Sequence, residues 1–210
     1  MNDRALLRTF AVAWLPLLCL AIILSLLAAT NDTLPSDRPV MDWIQDQPLP
    51  GQDLSDAVRA ITGTEVVLAT GAAVSLILWL RGHRRQAVLL AVGLAVLLVL
   101  QATVKELVDR PRPDPDIVDA RAGFSSPSFP SGHVMSGSYL YGFLLYLSLT
   151  LPLARGAAIA VGVAAAVLIA AGGPVNVWVG VHWPTDVLGG WLWSSLILLP
   201  LVAAGQPARS

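Results

Sequence analysis

Several residue types are scarce in this 210-residue chain, and each shortage excludes something. There is one cysteine, Cys19, in an apolar stretch, so no intrachain disulfide can form. Charged residues make up only 13% of the chain, about half the usual share of a soluble domain. Net charge is -1, which leaves no basic field to hold a nucleic acid. There is a single lysine, Lys105, and there are only three histidines, His83, His133 and His182. There is no His-Glu-x-x-His run and no cysteine ligand set, so the common zinc signatures are missing. What is abundant is apolar: 55% of the residues are hydrophobic, with a mean hydropathy of +0.68. Such a chain is neither a water-soluble globule nor a disordered tail. Its arginine-heavy, alanine-rich make-up fits a GC-rich bacterial genome.

A membrane-spanning helix needs about 20 mostly apolar residues. Six runs qualify: about Thr9 to Ala29, Ile61 to Leu80, Ala87 to Val104, His133 to Leu153, Ala157 to Val177, and Asp186 to Ala204. The expected fold is therefore all-α, a polytopic membrane protein with six transmembrane helices in one bundle. It forms a single domain over residues 1–210. The first run also has the outline of a secretory signal peptide, with Arg4 and Arg8 ahead of it. Its length favours a retained helix.

Placement of Arg and Lys sets orientation. With the N-terminus inside, the inner segments carry Arg4, Arg8, Arg81, Arg84, Arg85, Arg155 and Arg209, with Asp3 as their only acid. The outer segments carry Arg38, Arg59, Lys105, Arg110, Arg112 and Arg121, mixed with acids. The tally is nearly even, and the compact Arg81-Gly82-His83-Arg84-Arg85 loop is the strongest inner signal. Two longer segments lie outside. Residues 30–60, rich in Asp and Pro, read as an irregular connector or a lid, with a short amphipathic helix from Leu54 to Ile61. Residues 105–132 form the other.

Three polar clusters fall at the outer ends of helices. Lys105 and Arg112 supply fixed positive charge suited to phosphate oxygens, and Pro111 and Pro113 stiffen the backbone around Arg112. Ser131 and Gly132 open the fourth helix as an N-cap and a close-approach position, where free N–H groups favour an anion. His133 follows in the first turn, placed to act as a general acid. His182 and Asp186 stand four residues apart at the start of the sixth helix, so the carboxylate can orient the imidazole as a base or nucleophile. A metal site is the rival reading of two His and an Asp, but Lys and Arg at the same place disfavour a cation. A transporter is a further rival, although transporter sites tend towards the membrane midplane.

Lys105-x6-Arg112-Pro113, then Pro130-Ser131-Gly132-His133, then His182-x3-Asp186 resemble, in this order, the signature of the type-2 phosphatidic acid phosphatase superfamily. The resemblance covers about residues 60–200. It implies six helices, no cofactor or metal, and lipid phosphate hydrolysis through a phosphohistidine. His182 would be the nucleophile, Asp186 its orienter and His133 the acid for the leaving group. Lys105, Arg112, Ser131 and the Gly132 N–H would hold the phosphoryl oxygens. The implied partners are a lipid phosphate or diphosphate and the bilayer. The implied place is the bacterial inner membrane, with both termini cytoplasmic and the site outside. Candidate substrates are a polyprenyl diphosphate from cell-wall synthesis, phosphatidylglycerol phosphate or phosphatidic acid. The sequence does not set an oligomeric state.

One departure stands out. The third motif of the family usually begins Ser-Arg, and here those positions are Val175 and Asn176. Asn176 can donate a hydrogen bond to phosphate but carries no charge. That loss costs on the order of 2–4 kcal/mol of transition-state stabilisation. A weakened or inactive lipid-phosphate-binding homologue, or a lipid phosphotransferase, is thus the alternative. Arg110 and Arg121 are the candidates to replace the charge in space.

Overall fold

The computed structural model describes residues 3–48 and 51–205, with side chains from residue 14 onward. Among the described residues there are eight helices and no strand. They are α1 (Asp3–Thr30), α2 (Asp37–Gln45), α3 (Gln52–Thr62), α4 (Thr64–Leu80), α5 (Arg84–Val108), α6 (Gly132–Thr150), α7 (Arg155–Trp178) and α8 (Pro184–Gly205).

Local chemistry explains the main breaks. Helix α4 ends where Gly82 turns to φ +84°. There the Gly82 N–H donates to the Trp79 carbonyl and the His83 N–H to the Leu78 carbonyl, the paired bonds of a glycine-terminated helix. Helix α5 ends at left-handed Asp109, just before Pro111. Gly63 lies between α3 and α4, which meet at a bend of 51°.

The bundle is arranged around α6. Most of this helix is buried, including Met135, Tyr139, Leu140 and Phe143. It packs against α3, α4, α5, α7 and α8, while α1 lies outside against α8 and α5. The outer helices turn apolar side chains outward: Ile23 and Leu26, Leu76 and Ile77, Val96 and Val99, Val163 and Val167, Leu188. In water such a belt would be a severe liability; against lipid it is the expected surface. The chain is a membrane protein.

Three helices, α5, α7 and α8, are long and apolar enough to cross a membrane, and a fourth crossing results if bent α3–α4 counts as one. In α1, whose side chains are described from Trp14 onward, Trp14–Thr30 is apolar. Helix α6, expected as a span, is not among the candidates. Its neighbours cover it, so its Ser, Gly and Tyr residues meet protein rather than lipid. The second run, expected as one helix from Ile61, breaks at Gly63.

Residues 30–60 are less irregular than the sequence suggests. Besides α3, which extends the expected Leu54–Ile61 helix, α2 forms and packs against α7 and α8. It buries Asp37 and Met41 completely. A buried aspartate is the opposite of what a solvated connector would provide, and its partners lie in the site.

Candidate active site

The three clusters converge at one end of the bundle. Helix α5 brings Lys105 in its last turn, and its Nζ donates to the Pro127 carbonyl at 2.5 Å. Arg112 follows in the loop after Pro111. Its Nε donates to the Ser126 carbonyl at 2.8 Å, its Nη1 to the Val181 carbonyl at 2.7 Å, and its Nη2 to Ser126 Oγ at 3.1 Å. Nη1 also stands 3.4 Å from His182 Nε2. Burial draws the Arg112 guanidinium down to about 10, with Asp186 opposing that shift and Arg59 adding to it.

His182 sits in the turn between α7 and α8. Gly180 makes the turn at φ +77°, where a Cβ would stand 2.5 Å from the Asp119 carbonyl oxygen, so only glycine fits. Pro184 opens α8 and places Asp186 in its first turn. The Asp186 Oδ2 lies 3.6 Å from His182 Nδ1. That is longer than a tight hydrogen bond, as is common before substrate binds. The same oxygen accepts from Ser128 Oγ at 2.5 Å and from the Trp183 N–H at 2.8 Å, and Ser128 Oγ is 3.4 Å from His182 Nδ1. Burial pushes the imidazole down to about 4, against the pull of Asp186 and with Arg112 and Lys105 adding to the push. The ring is therefore neutral near pH 7. A carboxylate beside Nδ1 favours the proton there. That leaves a lone pair on Nε2, which faces Arg112.

The other carboxylate oxygen of Asp186 belongs to a buried network that the sequence does not reveal. Arg110 is 1% exposed. Its Nη1 donates to Asp186 Oδ1 at 2.7 Å and to Thr185 Oγ1 at 2.8 Å. Its Nη2 donates to Asp37 Oδ2 at 2.6 Å, and its Nε to the Asp32 carbonyl at 3.2 Å. Asp37 in turn accepts from the Thr185 N–H and hydroxyl. Arg110 thus fixes Asp186 from behind and does not face a ligand. Arg121 stacks over Trp178 at 3.8 Å and binds the Trp178 carbonyl and Asp119. Neither arginine stands in for a charge at position 176.

Ser131 occupies the N-cap of α6, but its side chain makes no capping bond. Its N–H donates to the Asp186 carbonyl at 3.0 Å, while its buried Oγ has no partner among the described residues. Gly132 follows, and a Cβ there would come within 3.2 Å of the Gln101 amide. The His133 ring packs edge-on to Phe124 at 5.8 Å and lies within electrostatic reach of His182, Arg59, Arg112 and Lys105. Phe124 divides two cavities. One, of about 510 Å³, is lined by Arg112, Val181 and Trp183 among others. The second, of about 470 Å³, is lined by Arg59, Gly63, Glu65 and His133 among others.

Asn176 is buried in α7. Its Nδ2 donates to the Gly172 carbonyl of the same helix at 2.8 Å, and its Oδ1 has no partner among the described residues. Of the expected residues, Asn176 is the one that its recorded side-chain contact ties to its own helix. Ser128, Asp37 and Phe124 were not expected in the site, and Arg110, expected as a stand-in charge, instead holds Asp186 from behind. Only tertiary contact reveals them, since Asp37 and Thr185 lie 148 residues apart.

Comparison with known proteins finds relatives by sequence and by fold. The family profile described as the PAP2 superfamily matches residues 86–209, more than half the chain. Phosphatidylglycerophosphatase B of Bacillus subtilis (strain 168) is 36% identical over 105 residues, 47% of this chain and 50% of that protein. The matched segment thus spans about half the length of that relative. The solved structure of a transmembrane PAP2-type phosphatidylglycerolphosphate phosphatase from Bacillus subtilis superposes with a TM-score of 0.74. That alignment covers 90% of this chain and 93% of the other at 24% identity, a likeness of fold.

Proposed function

The chain belongs to the PAP2 superfamily, and from that premise we propose that it is an integral-membrane lipid phosphatase acting through a phosphohistidine on His182. The observation that carries this reading is the approach of Arg112 Nη1 to within 3.4 Å of His182 Nε2. It sets a phosphate-binding donor beside the free lone pair of a neutral imidazole.

In the first step, Lys105, Arg112, Ser131 Oγ and the Gly132 N–H hold the oxygens of a headgroup phosphate. Nε2 of His182 attacks phosphorus, the N–P bond forms, and the P–O bond to the lipid breaks. His133, as imidazolium beside the bound dianion, gives its proton to the departing oxygen. In the second step water attacks phosphorus and loses its proton to His133. The N–P bond breaks, and inorganic phosphate leaves with His182 neutral again. Asp186, fixed by Arg110 and Ser128, supports the positive charge that His182 gains on attack. This chain's residues supply every group used, so no metal or cofactor enters.

The substrate class is a lipid monophosphate or diphosphate, with phosphatidylglycerol phosphate favoured by the named relative and a polyprenyl diphosphate next. We read α1, bent α3–α4, α5, α6, α7 and α8 as six crossings of the bacterial inner membrane. The termini lie on the cytoplasmic side and the site outside, with the Arg81–Arg85 loop on the inner side. An apolar groove between α1 and α8, lined by Leu20, Ile23, Leu27, Leu188 and Leu192, offers a place for acyl chain.

The test is phosphate release from phosphatidylglycerol phosphate, phosphatidic acid and a polyprenyl diphosphate in detergent containing EDTA. Release by the wild type and none by His182→Ala is expected. Full release by His182→Ala contradicts the mechanism.

A further inference from the structure

We propose that Arg59, on α3, is a phosphate-binding residue of this site, supplying from another helix the positive charge that Asn176 does not carry. The inference rests on the lipid phosphatase reading above. Residues of α3 form no part of the three motifs, and in sequence Arg59 passes for an outer-loop charge.

Four observations place Arg59 at the site. Its guanidinium lies over the Phe124 ring at 5.3 Å, and that of Arg112 lies over the same ring at 4.7 Å. The His133 ring meets Phe124 at 5.8 Å. Arg59 and His133 line the same cavity. The α3–α4 break brings this about: at Gly63, four residues after Arg59, a Cβ would stand 3.8 Å from His133 Nε2. Phe124 is thus a common platform for two arginines and the proposed general acid.

A structural role explains Arg59 poorly. Its residue is 9% exposed, yet Nε is buried with no partner among the described residues. Its recorded ion pair is with Asp56 at 3.6 Å, and the Asp56 side chain is 55% exposed. Such a pair at i, i+3 contributes little. Burying a guanidinium with an unmatched donor is costly, and the nearby charge on Arg112 adds repulsion. An anion between these groups would remove both penalties. Asp186 is bound to Arg110 on the far side, and its recorded partners do not include Arg59.

A stability–function contrast tests the proposal. Arg59→Met keeps the volume and removes the unmatched charge, so a binding role predicts a protein unfolding at or above the wild-type temperature in detergent. Its kcat/KM on whichever lipid phosphate turns over fastest falls about 100-fold. Adding Asn176→Arg to Arg59→Met recovers at least about tenfold, and Arg59→Lys lies between wild type and Arg59→Met. Inorganic phosphate raises the unfolding temperature of wild type and shifts Arg59→Met less. Arg59→Met that unfolds earlier than wild type, or that keeps kcat/KM within about twofold, overturns the proposal. So does a loss that neither Arg59→Lys nor Asn176→Arg repairs. If wild type releases phosphate from no lipid tested, the phosphatase reading fails separately, and the thermal shift with inorganic phosphate still decides on Arg59.

Discussion

The two walls of the site treat charge in opposite ways. Behind His182, Arg110 lies between Asp37 and Asp186 with donors on all three nitrogens engaged, and the side chains of all three residues are 0% exposed. In front, Arg59 keeps an unpartnered Nε and Ser131 an unpartnered Oγ among the described residues. Lys105 has one recorded hydrogen bond there. The difference separates two uses of arginine. Arg110, paired with two buried carboxylates, positions its neighbours. Arg112 also engages all three nitrogens, but with carbonyls and a hydroxyl, and it lines a cavity beside His182. Sequence alone does not sort them, since Arg110 and Arg112 flank the same proline.

Breaking the saturated wall should cost the fold. Arg110→Met leaves Asp37 and Asp186 buried without a counter-charge, a loss of about 3–5 kcal/mol. The expected result is an unfolding temperature lower by roughly 10 °C in detergent. Asp37→Asn is the next test, with about 1–3 kcal/mol lost as Arg110 and Thr185 keep weaker partners. A solvated connector at residue 37 would predict no change, so unchanged unfolding would remove α2 from the account.

Smaller changes sharpen the contrast on the catalytic side. Ser128→Ala removes the 2.5 Å bond to Asp186 Oδ2. It should lower kcat/KM by roughly 10- to 100-fold and cost about 1–3 kcal/mol of stability, less than Arg110→Met. The subtlest effect is on pH. Folded His182 holds its proton only below about 4, whereas an unfolded histidine does so below about 6.5. Between those values the unfolded chain binds more protons, so stability should rise with pH across that window and level off above it. His182→Gln should flatten this part of the unfolding-temperature profile. An unchanged slope would mean that another group is responsible.

Much of the site was legible because its motifs are local. Lys105 and Arg112 flank one helix end, Ser131 to His133 start another, and His182 and Asp186 lie one turn apart. The all-helical membrane fold followed from apolar runs of the right length. What escaped depends on distance in sequence or on context. Asp37 reads as a loop acid because its partners Arg110 and Thr185 lie far along the chain. Helix α2 is short and mixed in composition, so no run announces it. The interior place of helix α6, which lets it carry Ser, Gly and Tyr, also depends on what packs around it. Ser128 and Phe124 fall in a loop with no pattern. Their importance comes from what packs on them.

The central claim is that His182 carries the phosphoryl group. Wild type and His182→Ala should be mixed with a lipid phosphate labelled in its terminal phosphate, in EDTA, quenched within one turnover and denatured. A label on the wild-type protein that is stable to base, labile to acid and absent from His182→Ala is the predicted result. Phosphate release by His182→Ala at the wild-type rate, with no such label on either protein, would contradict it.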